Sequence, residues 1–160
     1  MSFTVFDTPI GHCGIGWGPR GITRIQIGAR QAEPAPAPAE VQQAIDAIQS
    51  LLRGEPSDLS AIPLDMHGVP EFQQRVYGVA RTIQPGATLT YGEIAQRLGD
   101  PTLAREVGQA LAHNPFPLVV PCHRVVGANG QLGGFSAAGG HRTKRRLLEI
   151  EGAQQQLALL

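Results

Sequence analysis

Apolar and polar positions alternate through the first 28 residues, as in Phe3-Thr4-Val5 and Arg24-Ile25-Gln26-Ile27, with glycines at 11, 14, 16, 18 and 21 breaking the pattern. Alternation in such short runs predicts antiparallel strands with one apolar face. Residues 34–39 alternate proline and alanine, which fixes φ, removes backbone donors and predicts an extended, exposed connector. Beyond it Val41, Ile45, Ile48 and Leu52 fall at i, i+4, i+7 and i+11, the spacing of one helical face, and Gly54 follows as a stop. This helix is expected to cover the small sheet.

A second pattern begins near Pro70. Phe72, Val76, Val79 and Ala80 mark another helical face, and Gln84-Pro85-Gly86 supplies a turn. Thr90-Tyr91-Gly92-Glu93 has the form of a capping box, predicting a short helix over 91–98 that ends at Gly99. Asp100 suits an N-cap and Pro101 a first helical position, so a further helix is expected to run to about Ala112, before Asn114-Pro115. Two short helices about a tight turn make a helix-turn-helix. The second is rich in Ala and Gly, which lets a helix approach a DNA groove closely and equally allows close helix packing. Downstream, Leu118-Val119-Val120 reads as a short apolar strand and Asn129-Gly130 as a tight turn. Residues 143–151 read as a helix with Lys144, Arg145 and Arg146 outside and Leu147, Leu148 and Ile150 inward, stopped by Gly152.

The pattern divides the chain into an α/β domain over 1–69, containing the connector at 34–39, and a mainly helical domain over 70–160. A length of 160 residues accommodates this division. No apolar run approaches the roughly 20 residues that span a bilayer, so no membrane segment is expected. Met1 to Asp7 lacks a basic segment followed by an apolar stretch and a cleavage site, which points to the cytoplasm. In that compartment Cys13 and Cys122 are expected as free thiols, with Cys13 a buried strand residue. The histidines are scattered and no Cys-x-x-Cys occurs, which argues against a metal site.

Net charge is zero, which would not suggest a nucleic-acid partner until the chain is divided at Pro70. Residues 1–70 carry four Arg against seven Asp or Glu, giving −3, and residues 71–160 carry nine Lys or Arg against six acids, giving +3. The basic half is the helical one.

Pro121-Cys122-His123-Arg124-Val125-Val126 places a thiol beside an imidazole within apolar residues. A thiol is a strong nucleophile only as the thiolate, and a neighbouring imidazole, backbone dipoles or a relay of water can supply the activation. The same string also suits an inert core cysteine.

Tyr91, Arg105, Asn114-Pro115, the Pro-Cys-His-Arg-Val string, Gly134-Phe135-Ser136 and Glu151-Gly152 follow one another in one helical domain. With these residues the chain resembles the O6-alkylguanine-DNA alkyltransferases, most strongly over 72–152. The resemblance implies an N-terminal domain of ribonuclease H-like fold, a small antiparallel sheet plus helix, followed by a winged-helix/helix-turn-helix-like domain. It implies a single-use, cofactor-free reaction in which Cys122 accepts an alkyl group from O6 of guanine or, less readily, O4 of thymine. His123 would take the thiol proton through a bound water, and Glu151 would orient the imidazole. Tyr91 would donate to N3 of the base, the Ser136 N–H would face O6, and the carbonyls of Cys122 and Val125 would receive the exocyclic amine. Asn114 would tie the second helix to the active-site segment, and Arg105 would fill the gap left by a flipped nucleotide. Phe135 and Arg124 are further candidates for contact with base or DNA; Phe135 stands where some relatives have tyrosine, and His113 where glycine is frequent. The partner implied is double-stranded DNA bound through the minor groove, largely without sequence preference, by a monomer.

Taken singly, each residue also fits an ordinary structural role. Tyr91 suits its capping box, Arg105 a solvated helix, Ser136 a turn, and Glu151 a surface pair with Arg146 or Lys144. Three rival functions share parts of the pattern: a non-enzymatic lesion sensor, which would lack the cysteine, a helix-turn-helix regulator, which would not need the Cys-His-Glu set, and a thiol hydrolase, whose cysteine and histidine would lie far apart in sequence.

Overall fold

The computed structural model describes residues 2–153. Residues 154–160, the end of the second expected domain, lie outside them. The chain forms two compact units, one of Met1–His67 with Pro115–Val119, the other of Gly68–Asn114 with Val120–Leu160.

In the first unit the alternating stretch forms β1 (Ser2–Thr8), β2 (Gly11–Gly18) and β3 (Gly21–Ile27), an antiparallel meander. Its register pairs Phe6 with Cys13, Cys13 with Ile27 and Ile15 with Ile25, so these side chains share one face, and all are buried. Cys13 is a free thiol there. α1 (Ala39–Leu52) follows and buries Val41, Ala44, Ile45, Ile48, Leu51 and Leu52, the stripe predicted from spacing with two flanking positions added. The proline-alanine connector is mostly exposed and is fastened by Thr4, whose hydroxyl accepts from the Ala35 N–H at 2.8 Å and lies 3.0 Å from the Ala35 carbonyl.

In the second unit α2 (Glu71–Ala80) buries Val76, Tyr77 and Ala80, whereas Phe72 and Val79 are only half-buried. The Tyr77 hydroxyl donates to the Ala110 carbonyl at 2.7 Å. β4 (Leu89–Thr90) leads into α3 (Tyr91–Arg97), where the capping box is complete. Glu93 N–H donates to Thr90 Oγ1 at 3.0 Å, and the Thr90 N–H donates to Glu93 Oε1 at 2.8 Å. The next helix starts as a 3-10 turn, Pro101–Leu103, capped by Asp100, and becomes α4 (Ala104–Ala112) with Val107, Ala110 and Leu111 buried.

The strand expected over 118–120 does not form. Pro117 and Pro121 offer no N–H to a ladder on either side, and Leu118 takes φ +78°, a left-handed conformation incompatible with a pleat. Instead Pro115–Val119 packs with the first unit, where the Pro115 carbonyl accepts from the Ile25 N–H at 2.9 Å. Cys122–Arg124 is a 3-10 turn, followed by β5 (Val125–Val126), which pairs in parallel with β4. The Asn129-Gly130 turn is present with both residues at positive φ. α5 (Gly140–Glu151) begins three residues before the predicted start and stops at Gly152. It buries Leu147 and Leu148 as expected, leaves Ile150 half-buried, and turns Lys144 inward instead of out. Among the described residues no helix is long and apolar enough to cross a membrane, and no group of three His, Cys, Asp or Glu could hold a metal ion.

Candidate active site

A cavity of about 280 Å³ in the second unit is lined by Tyr91, Leu111, Cys122, Phe135 and Ser136, with Gly108, Ala112 and Gly134 filling its wall. Four residues picked from sequence therefore meet around one space. Tyr91 arrives as the first residue of α3, directly after the capping threonine, and Cys122 as the first residue of the 3-10 turn. The ladder between β4 and β5 ties these two segments together, with Leu89 opposite Val125 and Thr90 opposite Val126.

Tyr91 is held closely. A side chain on Gly133 would bring its Cβ within 2.6 Å of the Tyr91 hydroxyl, and Gly133 sits at φ +76°, so glycine is needed there for both reasons. Burial pushes the Tyr91 pKa up, and a backbone hydrogen bond at Gly134 partly opposes the rise.

Behind the cavity wall the Cys-His step reaches Glu151 at the end of α5. His123 is fully buried, and its Nε2 lies 2.9 Å from Glu151 Oε2. A carboxylate only accepts, so the imidazole proton is assigned to Nε2, leaving the Nδ1 lone pair available. Nδ1 has no hydrogen-bond partner among the described residues. Burial lowers the His123 pKa, although Glu151 pulls the other way, and the lowering favours the uncharged ring. For Cys122 burial is again the largest influence and raises the pKa, against the Asn114 side chain, the Lys144 ammonium and nearby backbone groups. At rest the group is a thiol, and forming the nucleophile requires removal of its proton.

The Glu151 side chain is 3% exposed and strongly acidic, with a pKa of about 2. Burial alone would raise it; hydrogen bonds from Arg124 and His123 outweigh that. Arg124 supplies a two-pronged contact, Nε to Oε1 at 2.9 Å and Nη2 to Oε2 at 2.7 Å, and donates Nη1 to the Ile83 carbonyl at 2.7 Å. With its side chain 7% exposed, Arg124 does not lie on a DNA-facing surface, contrary to expectation: a carboxylate behind the site captures it. Glu151, which also fitted a role as a surface pair, is instead buried and held by Arg124 and His123.

Asn114 donates Nδ2 to the Val120 carbonyl at 3.0 Å, joining the end of α4 to the segment before Cys122. His113 beside it is exposed and makes a 2.8 Å contact from Nδ1 to the Gln109 carbonyl, closing the last turn of α4. Val125 is fully buried in β5 and does not line the cavity. Arg105 is exposed on α4 and lines a broader neighbouring cleft with Tyr91, Gly108 and Ala128.

Lys144 is the member that sequence reasoning missed. Fully buried, it donates Nζ to the Val125 carbonyl at 2.6 Å and to the Gly134 carbonyl at 2.9 Å, and lies 5.9 Å from the centre of the Tyr91 ring. Burial lowers its pKa to about 8, with Cys122 acting in the opposite direction. The only sequence signal was its place one turn before Leu148 on the inward stripe, and a lysine there reads by default as solvated.

Fold and cavity together define a protein of a small antiparallel sheet with a helix and a mainly helical unit, the latter holding a buried cysteine in the lining of a small pocket. The family profile described as "6-O-methylguanine DNA methyltransferase, DNA binding domain" matches residues 71–153. The chain belongs to that family. It is 40% identical over 147 residues to a methylated-DNA–protein-cysteine methyltransferase of Methanothermobacter thermautotrophicus, covering 90% of this chain and 81% of the relative. It is 38% identical over 156 residues to the protein of that name from Mycobacterium tuberculosis, covering 94% and 92%. Among solved structures, Mycobacterium tuberculosis OGT in complex with DNA superposes with a TM-score of 0.80 at 37% identity, covering 98% of this chain and 99% of that one.

Proposed function

We propose that this chain repairs alkylated DNA by direct reversal, transferring one alkyl group from O6 of guanine, or less readily O4 of thymine, to Sγ of Cys122. The observation that carries this is the shared cavity, lined together by Cys122, Tyr91, Ser136 and Phe135. Its volume, about 280 Å³, lies near the lower end of small-molecule sites, a size suited to a single base.

The thiol proton passes through a water to Nδ1 of His123, whose orientation is set by the Nε2 contact with Glu151. The thiolate attacks the alkyl carbon, the carbon–O6 bond breaks, and its electron pair leaves with the guanine. Charge developing on the base is met by donors placed in advance: Tyr91 to N3 and the Ser136 N–H to O6. The Cys122 carbonyl receives the exocyclic amine; the Val125 carbonyl, fully buried and off the cavity, holds Lys144 instead. The thioether is stable, so each molecule acts once and no cofactor is required.

DNA is the partner. The finer reading is a winged-helix arrangement of the second unit and a ribonuclease H-like first unit, with the protein bound as a monomer in the minor groove. Arg105, exposed on α4 in the cleft next to the pocket, fills the stack when the nucleotide turns out. Asn114 keeps the cysteine segment in place.

Intact-protein mass and peptide mapping after incubation with a short duplex carrying O6-methylguanine test the reading. One methyl on Cys122 per molecule, without turnover, is expected, and Cys122→Ala should bind the lesion duplex yet gain no mass. Unmodified wild-type protein that still binds the lesion would make this a lesion sensor instead.

A further inference from the structure

Only one of the hydrogen bonds made by Glu151 reaches His123. The neighbouring Arg124 holds both carboxylate oxygens, and all three side chains are withdrawn from water, with 0%, 3% and 7% exposure for His123, Glu151 and Arg124. The cluster therefore contains one buried anion and two candidates for its counter-charge. An ion left buried without compensation is costly, so one candidate must carry a positive charge.

The choice between them has a chemical consequence. If the compensating charge came from His123, the extra proton would sit on Nδ1, since Nε2 already carries the proton shared with Glu151. Nδ1 is the nitrogen with no partner among the described residues, and a protonated Nδ1 has no lone pair with which to accept the thiol proton. With a guanidinium in the fork the anion is already compensated, and burial then favours the uncharged ring. Besides Glu151 and Arg124, the charged group that acts on His123 is Lys144 from α5, whose ammonium opposes a second positive charge while donating to the Val125 and Gly134 carbonyls; Cys122 is the adjoining titratable residue in the chain.

We propose that Arg124 is a positioning residue that keeps His123 a neutral base by supplying the counter-charge of Glu151. This rests on His123 being the group that receives the thiol proton. Arg124 itself touches neither thiol nor substrate; it acts through the carboxylate. A guanidinium suits the task because its fixed fork matches a carboxylate and it stays charged throughout the working pH range.

Nitrogen NMR of the imidazole in the full-length protein, recorded from about pH 5 to 8 without lesion, reads the tautomer and charge of His123 directly. The wild type should show a neutral ring with its proton on Nε2 at pH 7. Arg124→Met should move the His123 midpoint upward by at least about one pH unit, a tenfold gain in proton affinity. Arg124→Gln, which retains a donor for the carboxylate and is the better-tolerated neutral replacement, should do the same, whereas Arg124→Lys should hold the midpoint near the wild-type value. A purely structural Arg124 would change the unfolding midpoint and leave the titration of the folded protein where it was. An imidazolium in the wild type at pH 7, or unshifted midpoints in the neutral variants, overturns the proposal. Failure of the methyl-transfer test with the expected titration intact would instead overturn the repair reading and leave the electrostatic role of Arg124 standing.

Discussion

Replacing Gly133 by alanine should separate two effects that the pocket combines. The first is conformational: at φ +76° an L-residue costs about 1–2 kcal/mol in the left-handed region. The second is contact. The new methyl would lie 2.6 Å from the Tyr91 hydroxyl and 2.9 Å from its Cε2, where a carbon–oxygen approach is ordinarily about 3.3 Å, so the tip of the ring must retreat by roughly 0.7 Å. Misplacing a catalytic group by about 1 Å can cost 100-fold, and a loss of about 10- to 100-fold in the rate of alkyl transfer is expected. The assay is single-turnover transfer from free O6-benzylguanine, followed by protein mass, with urea unfolding in parallel. Repeating Gly133→Ala on a Tyr91→Phe background removes the hydroxyl whose displacement carries the rate effect, while ring carbons Cε2 and Cζ, at 2.9 and 3.2 Å, still crowd the new methyl. There the further rate penalty should fall to within about twofold, the margin of additivity for uncoupled sites, while the penalty in unfolding free energy persists. An equal rate penalty in both backgrounds would show that Gly133 acts on the chemistry by a route other than Tyr91.

Two further outcomes follow from residues on either side of the pocket. Arg105→Ala should slow repair of duplex O6-methylguanine by about tenfold or more, because turning out the nucleotide costs a few kcal/mol, and should leave reaction with the free base nearly unchanged; equal losses on both substrates would remove Arg105 from the flipping step. Glu151 is held at a pKa of about 2 against an ordinary 4.5, so its contribution is fully present above pH 4.5 and is lost as the pH falls towards 2. The shift corresponds to an upper limit of about 3 kcal/mol, and the difference in unfolding free energy between wild type and Glu151→Gln should therefore narrow from pH 6 to pH 3. A difference that does not vary with pH would mean that shape, not charge, is what Glu151 contributes.

Local signals in the sequence were the ones that survived folding. The Thr90–Glu93 capping box, the Asp100 cap, the Asn129-Gly130 turn and the α1 stripe each depend on neighbours within one or two turns, and each can be read from residues a few positions apart. Tyr91, Cys122, Phe135 and Ser136 were legible through the family pattern, and the cavity brings them together. Lys144 and Arg124 were not legible, because a buried cation is tolerated only where distant acceptors await it: the Val125 and Gly134 carbonyls for one, Glu151 and the Ile83 carbonyl for the other. The two-residue ladder of β4 and β5 is too short for any periodicity to announce. For residues 118–120, three apolar residues in a row say nothing about φ, and the prolines at 117 and 121 weighed more than the apolar run.

The clasp between Asn114 and Val120 also governs how the molecule can be cut. Between those two residues the polypeptide makes a detour, and Phe116, Leu118 and Val119, each no more than 2% exposed, serve the interior of the first unit. A fragment beginning at Gly68 would keep the whole pocket yet carry a naked apolar loop, and the remaining piece, ending at His67, would lack part of its own filling. Truncation and domain exchange at that junction should yield sticky, poorly folded products even though few residues seem to be missing. An exchange that respects the architecture has to move residues 115–119 together with the N-terminal part, as an insert rather than as a tail.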